Sequence, residues 1–532
     1  RDIEEFNFHY LSVQMPDEGS YLDISLRKIA KGVGIGFTGT FIGMALGYLS
    51  RMIIARFLGA SDYGLICLGF AAMTIAATLS SIGLETGIKR FVPFYKGKGD
   101  EGRIKGTIIS ALKISFPSSL IFTFLFLFYA EWVSIQVFHE PRLTPVLRIF
   151  SVGIPFYVLA NNFIAATVGF QDLRYRVYVN DLFQNIFKLL AIVILLALGF
   201  GVLGAAWGWV LAIVLMPFLA FYFLEKRVFP ILNTKVKAIP IDKELFSFSW
   251  PLVLGTVPSL LMGWMDTLML GYFSTASAVG IYNAALPTAK LLNVVAGGFG
   301  VIFMPVITEL YARNRTEDFR NTYSAVTKWA LSLVLPAFLL MCLFSKSVIK
   351  IVFGEEYLVG ATALSILAFA FLISSVIAFA NPVLLAFGRT KIPMACSFVG
   401  AGVNFVLNFC LIPLYGVNGA AVATGFSVVL TNALLLFFVY RIGKIHPFRR
   451  SHLKPAFASI ISVLIVYIAT KYLIGESLPA LIIMLFVFLI LYFFFLLIFK
   501  SFEEEDLMIM RAIDQRLGTK SDWVRKIIQR FL

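Results

Sequence analysis

The sequence predicts an all-α polytopic membrane protein of about 14 transmembrane helices, built as two six-helix lobes followed by two C-terminal helices. Three observations predict it. Of 532 residues, 59% are hydrophobic and 14% charged, whereas a soluble chain is about 25% charged; mean hydropathy is +0.87. Fourteen stretches approach the ~20 apolar residues that a bilayer-spanning helix needs. The loops between them alternate between basic and bare, the pattern of a chain threaded repeatedly through a bilayer.

Taken in order, residues 1–28 are polar and partly acidic, lack the basic start and short apolar core of a signal peptide, and read as a cytoplasmic tail. The first lobe, 29–225, holds stretches 30–56, 63–92, 107–130, 143–169, 177–199 and 203–224. A basic cytoplasmic linker, 226–245, precedes the second lobe, 246–441, with stretches 246–273, 278–308, 323–343, 359–387, 392–412 and 417–440. Two further stretches, 455–474 and 479–499, fall in 442–499. In the tail, 500–532, apolar residues recur at helical spacing with basic residues between them; a helix on the inner leaflet and a solvated helix both fit. Loop 93–106 carries four Lys/Arg, and 225–245, 309–322 and 441–454 are also basic, whereas "STAS", "PLYG" and "GESL" carry none. The positive-inside rule then puts both termini in the cytoplasm of a multi-pass cell-membrane protein.

An internal repeat supports the two lobes. "GVLGAA" at 201–206 recurs as "GVNGAA" at 416–421, an offset of 416 − 201 = 215. The same offset carries Lys105, Thr107 and Lys113 onto Arg320, Thr322 and Lys328, and "RMIIARFLGASDYGLI" from 51 onto "DTLMLGYFSTASAVGIY" from 266, after one inserted residue. Six helices per half give both halves the same orientation, so the repeats are parallel, related by an axis along the membrane normal. Such proteins place substrate between the lobes and move by rocking.

Other classes are excluded by what the chain carries. The net charge of +15 sits in loops, so it reports membrane topology rather than nucleic-acid binding. Cys67, Cys342, Cys396 and Cys410 show no CxxC spacing, and the four histidines lie in loops or the tail, so no metal site is indicated. There is no GxxxxGK[ST] motif for nucleotide and no GxSxG or HExxH for catalysis. The chain reads as a transporter without a bound cofactor, not an enzyme. A membrane glycosyltransferase or ligase is the enzymatic alternative, but it needs a larger polar loop than the ~20 residues present here.

Four segments carry a resemblance: "SRMIIARFLGASDYGLICLGFA" at 50–71, "GLETGIKRFVPFYKGKGDEGRIKGTIISALK" at 83–113, "FMPVITELYARN" at 303–314, and "LLAFGRTKIPMACSFVGAGVNFVLNFCLIPLYGVNGAAVAT" at 384–424. Over about residues 25–445 the chain resembles the polysaccharide-flippase branch of the multidrug/oligosaccharidyl-lipid/polysaccharide exporter superfamily. The resemblance implies twelve to fourteen helices in two lobes forming a V. It implies a cavity lined by cations, and cargo that is an undecaprenyl- or dolichyl-linked oligosaccharide, carried as phosphate or pyrophosphate. It also implies membrane lipids and glycan-assembly enzymes as partners. A cation-coupled multidrug exporter of the same superfamily is the alternative, and Na⁺ or H⁺ stays open as a coupling ion.

The residues themselves point to an anionic cargo. Arginine inside a membrane helix costs about 2.5–3.5 kcal/mol and is retained where it faces a cavity or partner, and guanidinium is the best bidentate partner for phosphate. Lys290 lies about twelve residues into its stretch, ~18 Å deep at 1.5 Å per residue. Lys188 is equally deep, and Arg51 lies towards the outer end. These three, with Arg56, are the candidate cavity cations, although Arg56 also fits a helix edge. Asp266, the repeat mate of Arg51, is a candidate charge partner or coupling residue, as is Glu85. Lys89 and Arg90 are candidates for the entrance. Asn161, Asn162, Asn283, Asn404 and Asn408 are candidates for sugar contacts, or for binding helices together.

Overall fold

The computed structural model describes residues 18–232, 236–474 and 478–502. The expected tail over 500–532 and most of the N-terminal one lie outside them. The described chain is helical throughout, with no strand. Its α-helices are α1 Glu18–Ser81, α2 Leu84–Gly97, α3 Glu101–Trp132, α4 Leu143–Gly169, α5 Arg174–Arg176, α6 Gln184–Ala197, α7 Gly201–Phe223, α8 Asp242–Phe273, α9 Ala276–Lys290, α10 Leu292–Ala312, α11 Thr316–Leu343, α12 Ser345–Val352, α13 Gly360–Ile377, α14 Ala380–Ala386, α15 Lys391–Gly443, α16 Leu453–Ala469 and α17 Leu478–Ile498.

Among the described residues, ten helices are long and apolar enough to cross a membrane, or twelve if two bent pairs each count as one span. The bent pairs are Asp242–Val253 with Gly255–Phe273, at 47°, and Leu292–Gly300 with Phe303–Ala312, at 42°. This is fewer than the fourteen stretches, for a local reason. α1 and α15 are each two helices joined across a non-helical glycine, Gly59 (φ 80°) and Gly416 (φ 52°). A positive φ is cheap only for glycine, and it turns the chain without a loop.

Packing follows the small residues. On α1, Gly39, Gly43 and Gly47 face the segment 177–185; a Cβ at Gly43 would stand 2.7 Å from the Asp181 carbonyl oxygen. That segment contains a π-helical stretch, Val177–Phe183. Two further glycines make the closest crossing between the halves of the chain. A Cβ at Gly64 would overlap the Ala276 carbonyl, and one at Gly280 would overlap the Ala60 carbonyl. The contacts are reciprocal, since 280 − 64 and 276 − 60 both equal 216, the repeat offset plus its one inserted residue.

The core has an uneven distribution. One cluster mixes both halves, from Ile54, Leu65 and Leu147 to Tyr282, Leu364 and Ala420. A second belongs to the first half and the linker, including Leu84, Ile108 and Leu245. A third belongs to the second half, including Phe303, Phe379 and Val439. The shared core lies beside the bare loops. The separate cores lie beside the basic loops 93–106, 225–245, 309–322 and 441–454, so the halves share a core at one end and keep their own at the other, where Gly83 and Gly87 still pack α2 against Ser249 near the start of α8.

Candidate functional site

The deep cations lie near one another, beside the shared core. Arg51, on α1, is half-buried and lies against the Tyr63 hydroxyl and the Cys67 thiol. Tyr63 donates to the Asn283 carbonyl at 3.2 Å, tying α1 to α9. Lys188, on α6, is buried; its Nζ donates to Asn185 Oδ1 at 2.8 Å and lies 4.8 Å from the centre of the Trp209 ring. Asn185 in turn donates to the Asp181 carbonyl at 2.9 Å, one of the backbone oxygens around the π-helical stretch. Lys290 ends α9 and is exposed despite its depth in the sequence. Arg51 lies within Coulombic range of both Lys188 and Lys290. Three cations from three helices therefore share one region. Like charges held together away from bulk water repel, and an anion placed among them relieves the repulsion.

Asp266 is the acidic member of this region, within Coulombic range of Lys290. It does not pair with Arg51: among the described residues no ion pair joins them. The reason is local. Asp266 is 2% exposed, and its oxygens are already filled from α9 and α15. Tyr282 Oη donates to it at 2.7 Å and Thr424 Oγ1 at 2.6 Å. Asn404 Nδ2 donates at 3.3 Å and Asn408 Nδ2 at 2.6 Å. The amides of Asn404 and Asn408 are thus committed to a carboxylate, which is at odds with a sugar-contact role. The Asn408 side-chain oxygen is buried and has no hydrogen-bond partner among the described residues.

Other candidates are placed elsewhere. Arg56 is not a cavity cation: its Nε donates to the Val352 carbonyl at 3.0 Å and its Nη2 to the Ile351 carbonyl, so it caps the C-terminus of α12. Asn162 is buried and donates to Ser115 Oγ at 2.7 Å, and Asn283 is buried and donates to Thr267 and to the Val279 carbonyl. Both bind helices together. Asn161 is half-buried beside Tyr157, and Tyr157 is within Coulombic range of Glu85, which neighbours Lys89. Arg90 stacks over Phe248 at 4.0 Å. Lys89 and Arg90 are exposed at the end where the cores separate. Lys113 and Lys328, symmetric in the repeat, differ: Lys113 is exposed and Lys328 is 3% exposed. Tyr282 and Thr424 were not anticipated. The signal for their site was Asn404 and Asn408, four apart on one helix face with an intramembrane acid elsewhere in the same half.

Comparisons with known proteins agree with one another. The family described as polysaccharide biosynthesis protein matches residues 29–311, and the family described as MatE matches 251–410. An uncharacterized membrane protein of Methanocaldococcus jannaschii is 26% identical over 436 residues, 78% of this chain and 85% of that one. A probable low-salt glycan biosynthesis flippase of Haloferax volcanii is 27% identical over 192 residues, 36% of this chain and 41% of that one. A solved structure of the lipid II flippase MurJ in an inward closed conformation is similar in fold, with TM-score 0.69 and 18% identity, over 89% of this chain and 99% of that one.

Proposed function

Because the chain belongs to the polysaccharide biosynthesis protein family, in the flippase branch of the multidrug/oligosaccharidyl-lipid/polysaccharide exporter superfamily, we propose that it flips a polyprenyl-linked oligosaccharide across the membrane for surface polysaccharide or glycan assembly. One observation carries the reading: Arg51, from one helix, lies within Coulombic range of both Lys188 and Lys290, from two others. A lipid-linked sugar brings a phosphate or pyrophosphate to that depth, and the three cations are its counter-charge. Undecaprenyl and dolichyl carriers both present this chemistry.

The movement is alternating access between two lobes, 29–225 and 246–441. Counting the helices on each side of Gly59 and Gly416 as separate spans raises the number to fourteen, with both termini on the side of the basic loops. The end with separate cores then faces the cytoplasm, where the substrate is loaded. Asp266, a buried carboxylate held by donors from Tyr282, Thr424, Asn404 and Asn408, is a group suited to carry H⁺, or Na⁺ once those donors turn away, and is the coupling site in this reading. The multidrug exporter is the second reading, and the MatE match favours it over 251–410. Its cationic cargo would have to share a space with three cations.

The test is flipping of a labelled lipid-linked oligosaccharide in proteoliposomes. Arg51→Gln with Lys188→Gln and Lys290→Gln should cut the rate at least tenfold while the protein stays folded, since hydrogen bonds to charged groups contribute about 1.5–3 kcal/mol each. A wild-type rate in this triple variant would overturn the site, and faster export of cationic dyes than of the glycolipid would favour the second reading.

A further inference from the structure

The repeat has another anchor at the joined end. "VFHEPRL" at 137–143 matches "VFGEEYL" at 352–358, again with an offset of 352 − 137 = 215. Each segment docks on the opposite half, but in different ways. The 352–358 segment is held by Arg56, whose guanidinium donates to the Val352 and Ile351 carbonyls. Tyr357 Oη adds a bond to the Ala55 carbonyl at 3.1 Å. At the mate of Arg56 stands Gly271 (271 − 56 = 215), and a Cβ there would lie 2.9 Å from the Phe138 ring. Among the described residues no hydrogen bond or ion pair joins the 137–139 segment to α8. A cavity of about 360 Å³ lies there instead, between Val137 and Phe138 on one side and Leu268, Tyr272, Phe405 and Phe409 on the other.

The two seams respond differently to a bilayer. Apolar faces that part in lipid are covered again by acyl chains, which are as apolar as the partner they lost, so little opposes the parting. A guanidinium leaving two carbonyls must find other acceptors. We propose that the outer end opens at the Phe138–Gly271 seam alone, with the Arg56 seam as the hinge, and that the cavity there receives the hydrocarbon chain of the lipid-linked substrate. The chain's identity rests on the flippase reading; the motion does not. A headgroup held among Arg51, Lys188 and Lys290 is covalently tied to a chain that cannot enter a polar space. That chain needs a lateral slot into the bilayer, and this one lies on α8, the helix that carries Asp266.

Spin-label distances in proteoliposomes decide the motion without any cargo. With the native cysteines replaced, one protein carries His139→Cys with Tyr272→Cys, residues whose rings are 6.3 Å apart across the apolar seam and are both exposed. The other carries Phe57→Cys with Glu356→Cys, both exposed at the Arg56 seam. The expected result is a second, longer distance population for the first pair and one population for the second. The reverse pattern, equal lengthening at both seams, or no lengthening at either overturns the proposal. Cross-linking each pair then tests the slot: flipping should fall at least tenfold, reversibly by reductant, for the first pair and by less than twofold for the second. Full flipping with the first seam closed overturns the slot. Absence of flipping in the reduced proteins counts against the flippase reading, while the distances still decide the motion.

Discussion

At the scale of single residues, Asp266 is the group on which most other groups depend. Four neutral donors converge on a carboxylate that is 2% exposed. Removing it strands them, and a buried donor without an acceptor costs about 1–3 kcal/mol. Asp266→Leu should therefore lower the melting temperature, whereas Asp266→Asn, which keeps one acceptor oxygen, should melt closer to wild type but lose any dependence of flipping on Na⁺ or pH. Ion-dependent flipping that persists in Asp266→Asn would remove it from the coupling role. Asn185→Leu is expected to act more mildly. It frees the Lys188 ammonium from its 2.8 Å acceptor and should weaken substrate affinity more than the limiting rate, as read from the concentration dependence of flipping. The sequence revealed the deep cations because charge in an apolar run is conspicuous. It misassigned the partner of Arg51 because a repeat pairs positions and says nothing of which way side chains turn. Arg56 misled for a related reason: a carbonyl-capping arginine and a cavity arginine look identical until the helix end it reaches is known.

At the scale of elements, two glycine crossings hold the joined end. Gly64 against Ala276 and Gly280 against Ala60 bring backbone to backbone, so an added methyl meets a carbonyl and has no flexible side chain to displace. Overpacking of this kind costs about 1–3 kcal/mol. Gly64→Ala and Gly280→Ala should each lower thermal stability, and each should lengthen the spin-label distances at the outer end; unchanged melting and unchanged distances in both would show that the crossing is not what closes it. The inserted residue that makes this crossing symmetric was legible in the sequence, in the 51/266 anchor; the contact itself was not. Two breaks were legible too: Gly59 falls between stretches 30–56 and 63–92, and Gly416 between 392–412 and 417–440. The π-helical stretch 177–183 has no hydropathy signature at all.

At the scale of the whole molecule, the distribution of the core sets which side has access. Where the two halves share one hydrophobic cluster, Tyr63, Tyr282 and Leu364 are fully buried. Where each half keeps its own cluster, Lys89 and Arg90 are exposed, and Lys290 is exposed at the edge of the shared cluster, between Ala289 and Leu292. The basic loops lie at this second end, and positive charge marks the cytoplasmic face. A membrane-impermeant thiol reagent should thus reach Lys290→Cys, in a protein lacking its native cysteines, faster from the side of the basic loops than from the other. Labelling from the opposite side should follow the smaller outer-open population and speed up when the joined end is forced apart, as by Gly64→Ala or Gly280→Ala. Bound lipid-linked oligosaccharide should protect Lys290→Cys from the cytoplasmic side, because the phosphate that the cations hold would lie over it. Equal labelling from both faces of the unmodified scaffold would mean that Lys290 opens to a permanent pore. Labelling from neither face would turn it towards lipid, and the counter-charge role would then fall to Arg51 and Lys188 alone.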